Sequence, residues 1–178
     1  LLLAAHPDDA EMSCGGTIAA AIKQGKKVGI VDFTRGELGT RGTPQIRASE
    51  AAAAAKVVGA SVRLNLKMSD GFIENNKDNR LEIIKVLREY KPKTVLCNAL
   101  IDRHPDHGKG AALVNDAAFL SGLSKIETYT DGILQNPWRP KYVFNYIQDK
   151  YIEPDFLIDI SDYIEQKIES RSEEHTSE

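Results

Sequence analysis

Leu1-Leu2-Leu3-Ala4-Ala5-His6-Pro7-Asp8-Asp9-Ala10-Glu11 passes in a single step from an unbroken apolar run to a cluster of ionisable groups. Five apolar residues in a row suit a strand buried on both faces, as in a parallel sheet. The run is too short for a signal-peptide core and has no basic region before it, so we read it as a sheet strand cut at its start. The ionisable residues then fall where the chain leaves the sheet. In open α/β folds, ligands bind outside the carboxyl ends of the strands.

The rest of the chain repeats this alternation. Residues 17–24 read as a helix closed by Gly25, and 28–33 as a second strand followed by a glycine-punctuated loop over 34–43. An alanine-rich helix over 44–58 is opened by Pro44 and closed by Gly59. A third strand over 61–66 and a polar loop over 68–79 precede an amphipathic helix over 81–89, where Leu81, Ile84 and Leu87 recur at threefold spacing. A fourth strand (94–98), a helix (108–121), two late strands (142–147 and 156–160) and a last helix (161–170) complete the pattern. The expected fold class is α/β, a Rossmann-like, mostly parallel sheet with helices on both faces, in one domain over residues 1–170. Arg171-Ser172-Glu173-Glu174-His175-Thr176-Ser177-Glu178 abandons the helical pattern and equals a common sequencing-adapter oligonucleotide read as codons. These eight residues are expected to be non-native, and no functional residue is taken from them.

Composition excludes several classes. The chain has 178 residues, enough for one core, and 23 Lys+Arg against 26 Asp+Glu give a net charge of -3. That balance argues against nucleic acid as a partner. No apolar run approaches the roughly 18 residues of a membrane span, so no membrane partner is expected. Two cysteines, Cys14 and Cys97, make no disulfide framework, and a reduced, cytoplasmic setting is the expectation.

Chemistry concentrates at two strand ends. Of the four histidines, three lie in His6-Pro7-Asp8-Asp9 and Arg103-His104-Pro105-Asp106-His107, which follow the first and fourth strands. Zinc takes imidazole and carboxylate ligands, and a hydrolytic site keeps three protein ligands with one open position. In an extended loop the adjacent Asp8 and Asp9 point apart, so one can bind metal while the other faces the reacting water. His104 and His107, two residues removed from each other, can line one pocket in different roles. Glu11 reads as a loop-holding residue, Arg35 and Arg41 as solvated charges, the two cysteines as buried thiols, and Trp138 as a packing residue.

The Ala-His-Pro-Asp-Asp-x-Glu run of residues 5–11, the Thr34-Arg35-Gly36-Glu37-Leu38-Gly39 loop and the Arg103–His107 segment resemble, in the same order, the LmbE-like (PIG-L) zinc-dependent N-acetylglucosamine deacetylases. The resemblance runs to about residue 170 and looks closest to the bacillithiol-biosynthesis branch. It implies a hydrolase that removes acetyl from an N-acetylglucosaminyl conjugate, foremost N-acetylglucosaminyl malate; other N-acetylated sugar or thiol conjugates, or a non-catalytic sugar- or metal-binding homologue, are the alternatives. It also implies one Zn²⁺, or another divalent metal such as Fe²⁺, held by His6, Asp9 and His107. Asp8 takes the place of the general base, and protonated His104 that of the group that stabilises the oxyanion or protonates the leaving amine. Asp106 matches the residue that orients this histidine. Arg47 and Arg103 match substrate contacts, near the acetyl group and at the aglycone. A homo-oligomer is compatible with the resemblance.

Overall fold

Strand β1 (Leu2–Ala4) sets the layers through its alternation: Leu3 and Ala5 join one apolar cluster, Leu2 and Ala4 another. The computed structural model describes residues 1–174. Helix α1 (Asp9–Lys23), β2 (Gly29–Thr34), α2 (Pro44–Val58), β3 (Val62–Met68), α3 (Lys77–Tyr90), β4 (Thr94–Cys97) and α4 (Pro105–Leu120) follow in turn. A short hairpin, β5 (Tyr129–Thr130) with β6 (Ile133–Leu134), precedes β7 (Tyr142–Asn145). A 3₁₀ turn, Ser161–Tyr163, leads into α5 (Ile164–Ser172). The main sheet has the order β3-β2-β1-β4-β7, and every pairing in it is parallel.

On one face Leu3, Val31 and Phe33 pack with Ile83, Ile84 and Leu87 of α3 and Leu113 and Val114 of α4. On the other, Leu2, Ala4 and Ile30 meet Ala10, Cys14 and Ile18 of α1 and Val58 of α2. This is the expected α/β architecture. Strand order reverses between β1 and β4, the place where open α/β sheets bind their ligands at the carboxyl ends of the strands. No helix of the described residues is long and apolar enough to cross a membrane.

Several boundaries differ from the sequence reading for identifiable reasons. Helix α1 starts at Asp9, eight residues before the expected 17, and runs through Gly15 and Gly16. Those glycines mark close packing rather than a loop: a Cβ on Gly16 would lie 2.7 Å from Ile160, and one on Gly15 would lie 3.1 Å from Lys167 of α5. Residues 156–160 form no strand, because they cross back over α1 toward α5 instead of adding to the β7 edge. Helix α4 begins at Pro105, with His104 as its N-cap, and not at 108. Helix α5 continues to Ser172, two residues past the expected end of the domain, and 175–178 of the expected non-native tail lie outside the described residues.

Helix α2 matches its expected bounds because both of its ends carry local signals. Thr43 accepts the Ile46 N–H at 3.3 Å, Pro44 fills the first turn, and Gly59 ends the helix at φ 80°. A Cβ on Gly59 would meet only Ile22, at ordinary contact distance, so the left-handed backbone alone decides the outcome there. Gly59→Ala should cost about 1 kcal/mol and lower the melting temperature by roughly 2–4 °C. Thermal unfolding followed by circular dichroism checks this, and an unchanged melting temperature would contradict it.

Candidate active site

Side chains of the loops leaving β1, β3 and β4 meet at the carboxyl ends of the strands. The Ala5 N–H donates to Asn98 Oδ1 at 2.9 Å and ties the ends of β1 and β4 together. Asp8 takes the N-cap position of α1, and Asp9 is the first helical residue. The two carboxylates therefore diverge at a helix start, not along the expected extended loop. Asp9 turns back on the preceding turn, its Oδ2 accepting from His6 N at 2.9 Å and Asn98 Nδ2 at 3.0 Å, and its Oδ1 from Gln148 Nε2 at 2.5 Å. So held, Asp9 faces two imidazoles: His6 Nδ1 lies 3.4 Å from Oδ2, and His107 Nε2 lies 3.3 Å from Oδ1. Burial pushes this carboxyl up, but hydrogen bonds and charge from His107 and His6 outweigh it and hold Asp9 well below the usual carboxylate range.

The far nitrogens of both rings are also engaged. His6 Nε2 lies 3.1 Å from Asp70 Oδ1 and 3.3 Å from Asp106 Oδ2. Backbone N–H groups fix those carboxylates: Leu38 donates to Asp70 at 2.9 Å, and Gly71 and Ile73 donate to Asp106 at 2.7 and 3.2 Å. Burial lowers the His6 pKa, yet Asp106, Asp70 and Asp9 together raise it to about 12. Asp106 therefore departs from its expected role, since its carboxylate supports His6 rather than orienting His104. Its backbone N–H, freed at the helix start, is what meets His104 Nδ1, at 3.3 Å. His107 Nδ1 lies 2.6 Å from Asp102 Oδ2.

His104 is partly exposed at the open side, its ring centroid 4.5 Å from that of His6 and 5.1 Å from that of His107. Burial, then the His6 and His107 charges, push it toward its neutral form. Because Nδ1 accepts the Asp106 N–H, a neutral ring carries its proton on Nε2. With its proton on Nε2, the His104 ring can donate away from the Asp106 N–H. Asp8 is buried, caps no helix N–H, and lies 3.4 Å from the Arg47 guanidinium. Burial and the neighbouring Asp9 charge raise its pKa against the opposing pull of Arg47 and His6.

The donor chemistry fits a divalent ion. Ligands about 2.0–2.2 Å from a tetrahedral zinc lie about 3.3–3.6 Å from one another, the spacing that separates each imidazole nitrogen from its Asp9 oxygen. His6, Asp9 and His107 could hold the ion. Three different sets bring one donor atom of each member within 4.8 Å of the others: His6 with Asp70 and Asp106, His107 with Asp102 and Asp149, and the three histidines together. Asp70, Asp106 and Asp102 each accept a backbone N–H, as Asp9 does from His6, so those bonds do not separate the sets. Asp70, Asp106 and Asp102 meet the ring nitrogens of His6 and His107 that face away from Asp9.

The family model described as PIG-L: GlcNAc-PI de-N-acetylase matches residues 1–118. The chain belongs to the PIG-L family. It is 27% identical to the diacetylchitobiose deacetylase of Thermococcus kodakarensis, over 94% of this chain and 66% of that protein. It is 29% identical to the 4-oxalmesaconate hydratase of Pseudomonas putida, over 94% of this chain and 69% of that protein. The chain thus spans about two thirds of the length of these relatives. Among solved structures, the conserved protein TT1542 from Thermus thermophilus superposes with a TM-score of 0.92 at 36% identity, covering 99% of this chain and 78% of that one.

In this PIG-L member the substrate-contact expectations land unequally. Arg47 is buried against Asp8, beneath the loop after β2; a Cβ on Gly36 would lie 2.6 Å from its guanidinium and one on Gly39 2.8 Å. Those glycines make room for an arginine and cradle no phosphate. Arg103 is exposed at the rim and lies 3.4 Å from Asp149. Cys14 and Cys97 are buried, which pushes both thiols up to about 12. Trp138 donates to Pro92 O at 2.9 Å, at the opposite end of β4 from the histidines, and packs there. Glu11 meets Arg63 in the core behind the site and holds α1.

Asp70, Asn98, Asp102 and Gln148 join the site without being expected from the sequence. Asp70, Asn98 and Asp102 share the signal that marks the histidines, a polar residue just past a strand of the sheet. Gln148 has no local signal. A bulge delivers Asp70: β3 advances three residues from Asn65 to Met68 while β2 advances two, with Lys67 in the left-handed region at φ 57°.

Proposed function

We propose that this chain is a metal-dependent N-deacetylase that hydrolyses the acetamido group of a glucosamine conjugate. The carrying observation is Asp9 facing His6 Nδ1 and His107 Nε2 at 3.4 and 3.3 Å, with Asp8 and His104 beside it. His6, Asp9 and His107 hold the ion, with zinc as the metal of choice for two imidazoles and a carboxylate. When bound, the ion supplies Lewis acidity and lowers the pKa of water toward about 7. Asp8 receives the proton of the attacking water, a task suited to a carboxyl with a raised pKa. His104 Nε2–H donates to the carbonyl oxygen as charge develops there, an interaction worth about 10²–10³ in rate. The nitrogen leaves as an amine after taking from Asp8 the proton that Asp8 received from the water.

The finer reading is N-acetylglucosaminyl malate, with Arg103 at the rim meeting a carboxylate of the aglycone after exchanging Asp149 for it. The T. kodakarensis relative, a diacetylchitobiose deacetylase, supports the sugar class but not this aglycone. The test is acetate release from N-acetylglucosaminyl malate, diacetylchitobiose and N-acetylglucosamine, with and without a chelator. Chelator-sensitive release is expected, fastest from the malate conjugate. Equal rates on all three would remove the malate reading. No release from any, with hydration of 4-oxalmesaconate instead, would move the chain to the chemistry of its hydratase relative.

A further inference from the structure

We propose that Asp102 is a positioning residue that fixes His107 with its Nε2 toward the metal. The inference rests on the metal-centre reading above and deepens it.

Asp102 lies in the loop between β4 and α4, and its side chain is fully buried against the His107 ring. The two oxygens do different things. Oδ1 accepts the Arg103 N–H at 2.7 Å and the Lys150 N–H at 2.9 Å. Oδ2 stands 2.6 Å from His107 Nδ1. With two backbone donors holding one oxygen, the carboxylate cannot rotate, and the other oxygen can only accept. A neutral His107 therefore carries its proton on Nδ1 and bares Nε2 toward Asp9, 3.3 Å away. His6 is held in the opposite sense, with Asp70 and Asp106 on Nε2 and Nδ1 left toward Asp9. The two imidazoles thus present unlike nitrogens to one ion, each set by a carboxylate behind the ring.

Asp102→Asn isolates this effect from the loop's stability. The asparagine keeps its Oδ1 on the Arg103 and Lys150 N–H groups, because turning it over would set an amide N–H against two other donors. Its Nδ2 then occupies the place of Oδ2 and donates to His107 Nδ1. The ring proton is driven to Nε2, the nitrogen that must bind the ion. Zinc affinity, measured by competition with a chromogenic chelator, is expected to fall about 10- to 100-fold. In ¹⁵N-histidine protein loaded with ¹¹³Cd, the parent should show cadmium coupling to His107 Nε2 and a proton on its Nδ1. The parent spectrum decides the matter even if the variant fails to fold.

Cadmium coupling to His107 Nδ1 in the parent would overturn the proposal, as would an Asp102→Asn affinity within about twofold of the parent's. The second result, with Nε2 coupling retained, would leave the metal centre standing and remove only Asp102 from it. A parent that binds neither zinc nor cadmium would remove the metal centre and this inference together.

Discussion

Asp8→Asn is expected to lower turnover about 10²- to 10⁴-fold while metal content stays at the parent level. An aspartate at a helix N-cap normally accepts an N–H of the first turn, and its loss weakens the helix. Asp8 makes no such bond, so the amide removes no cap from α1. The ligand set is also spared, since Asp9 is held independently by Asn98, Gln148 and the His6 N–H. The ability to take a proton is what disappears. Metal content by elemental analysis and acetate release on the same preparation check both halves. Turnover above a tenth of the parent's would remove Asp8 as the base, and loss of metal would show that it supports the ion.

The largest stability effect is expected behind the site, at Arg63→Ala. Arg63 Nε and Nη2 donate to the two oxygens of Asp32 at 2.9 and 3.0 Å, and Nη1 meets both Glu11 and the Ala51 carbonyl. One guanidinium on β3 thereby joins β2, α1 and α2. Without it, two buried carboxyls lose their counter-charge, and the loss should be about 3–5 kcal/mol near neutral pH. The pH dependence has a defined sign. Burial raises the Asp32 pKa to about 7 even against the pull of Arg63. A raised carboxyl contributes stability that is present below its unfolded value near 4 and is lost as pH rises through 7. Removing Arg63 raises the carboxyl further, so the deficit should be smaller at pH 5.5 than at pH 8. Urea unfolding of both proteins at the two pH values tests this; a deficit independent of pH would mean that lost packing, not charge, is responsible.

Much of the fold is legible in the sequence because its signals are local. Helix α2 carries its cap, proline and terminal glycine within its own sequence, and β2 and β4 are bounded apolar runs. The start of helix α1 is not legible, because Gly15-Gly16 look like a break until α5, about 150 residues away, is seen packed on them. In the site, the histidines and Asp8-Asp9 stand out by their clustering at strand ends. The direction of the Asp106 carboxylate does not, because it depends on the Gly71 and Ile73 N–H groups of a different loop. Gln148 reaches Asp9 across 139 positions of sequence, and no pattern around Ile147-Gln148-Asp149 announces it.

That reach bears on the order in which the molecule is made. His6, Asp9 and His107 have all left the ribosome well before residues 148–150, which supply the amide on Asp9 and the N–H on Asp102. These groups arrive only once β7 has docked along β4. A nascent chain stopped short of β7 would carry every proposed ligand and lack the strap that orients them. Tight metal uptake in this protein should therefore report that synthesis has passed the edge strand, and slow metal release should report that the edge strand remains in place.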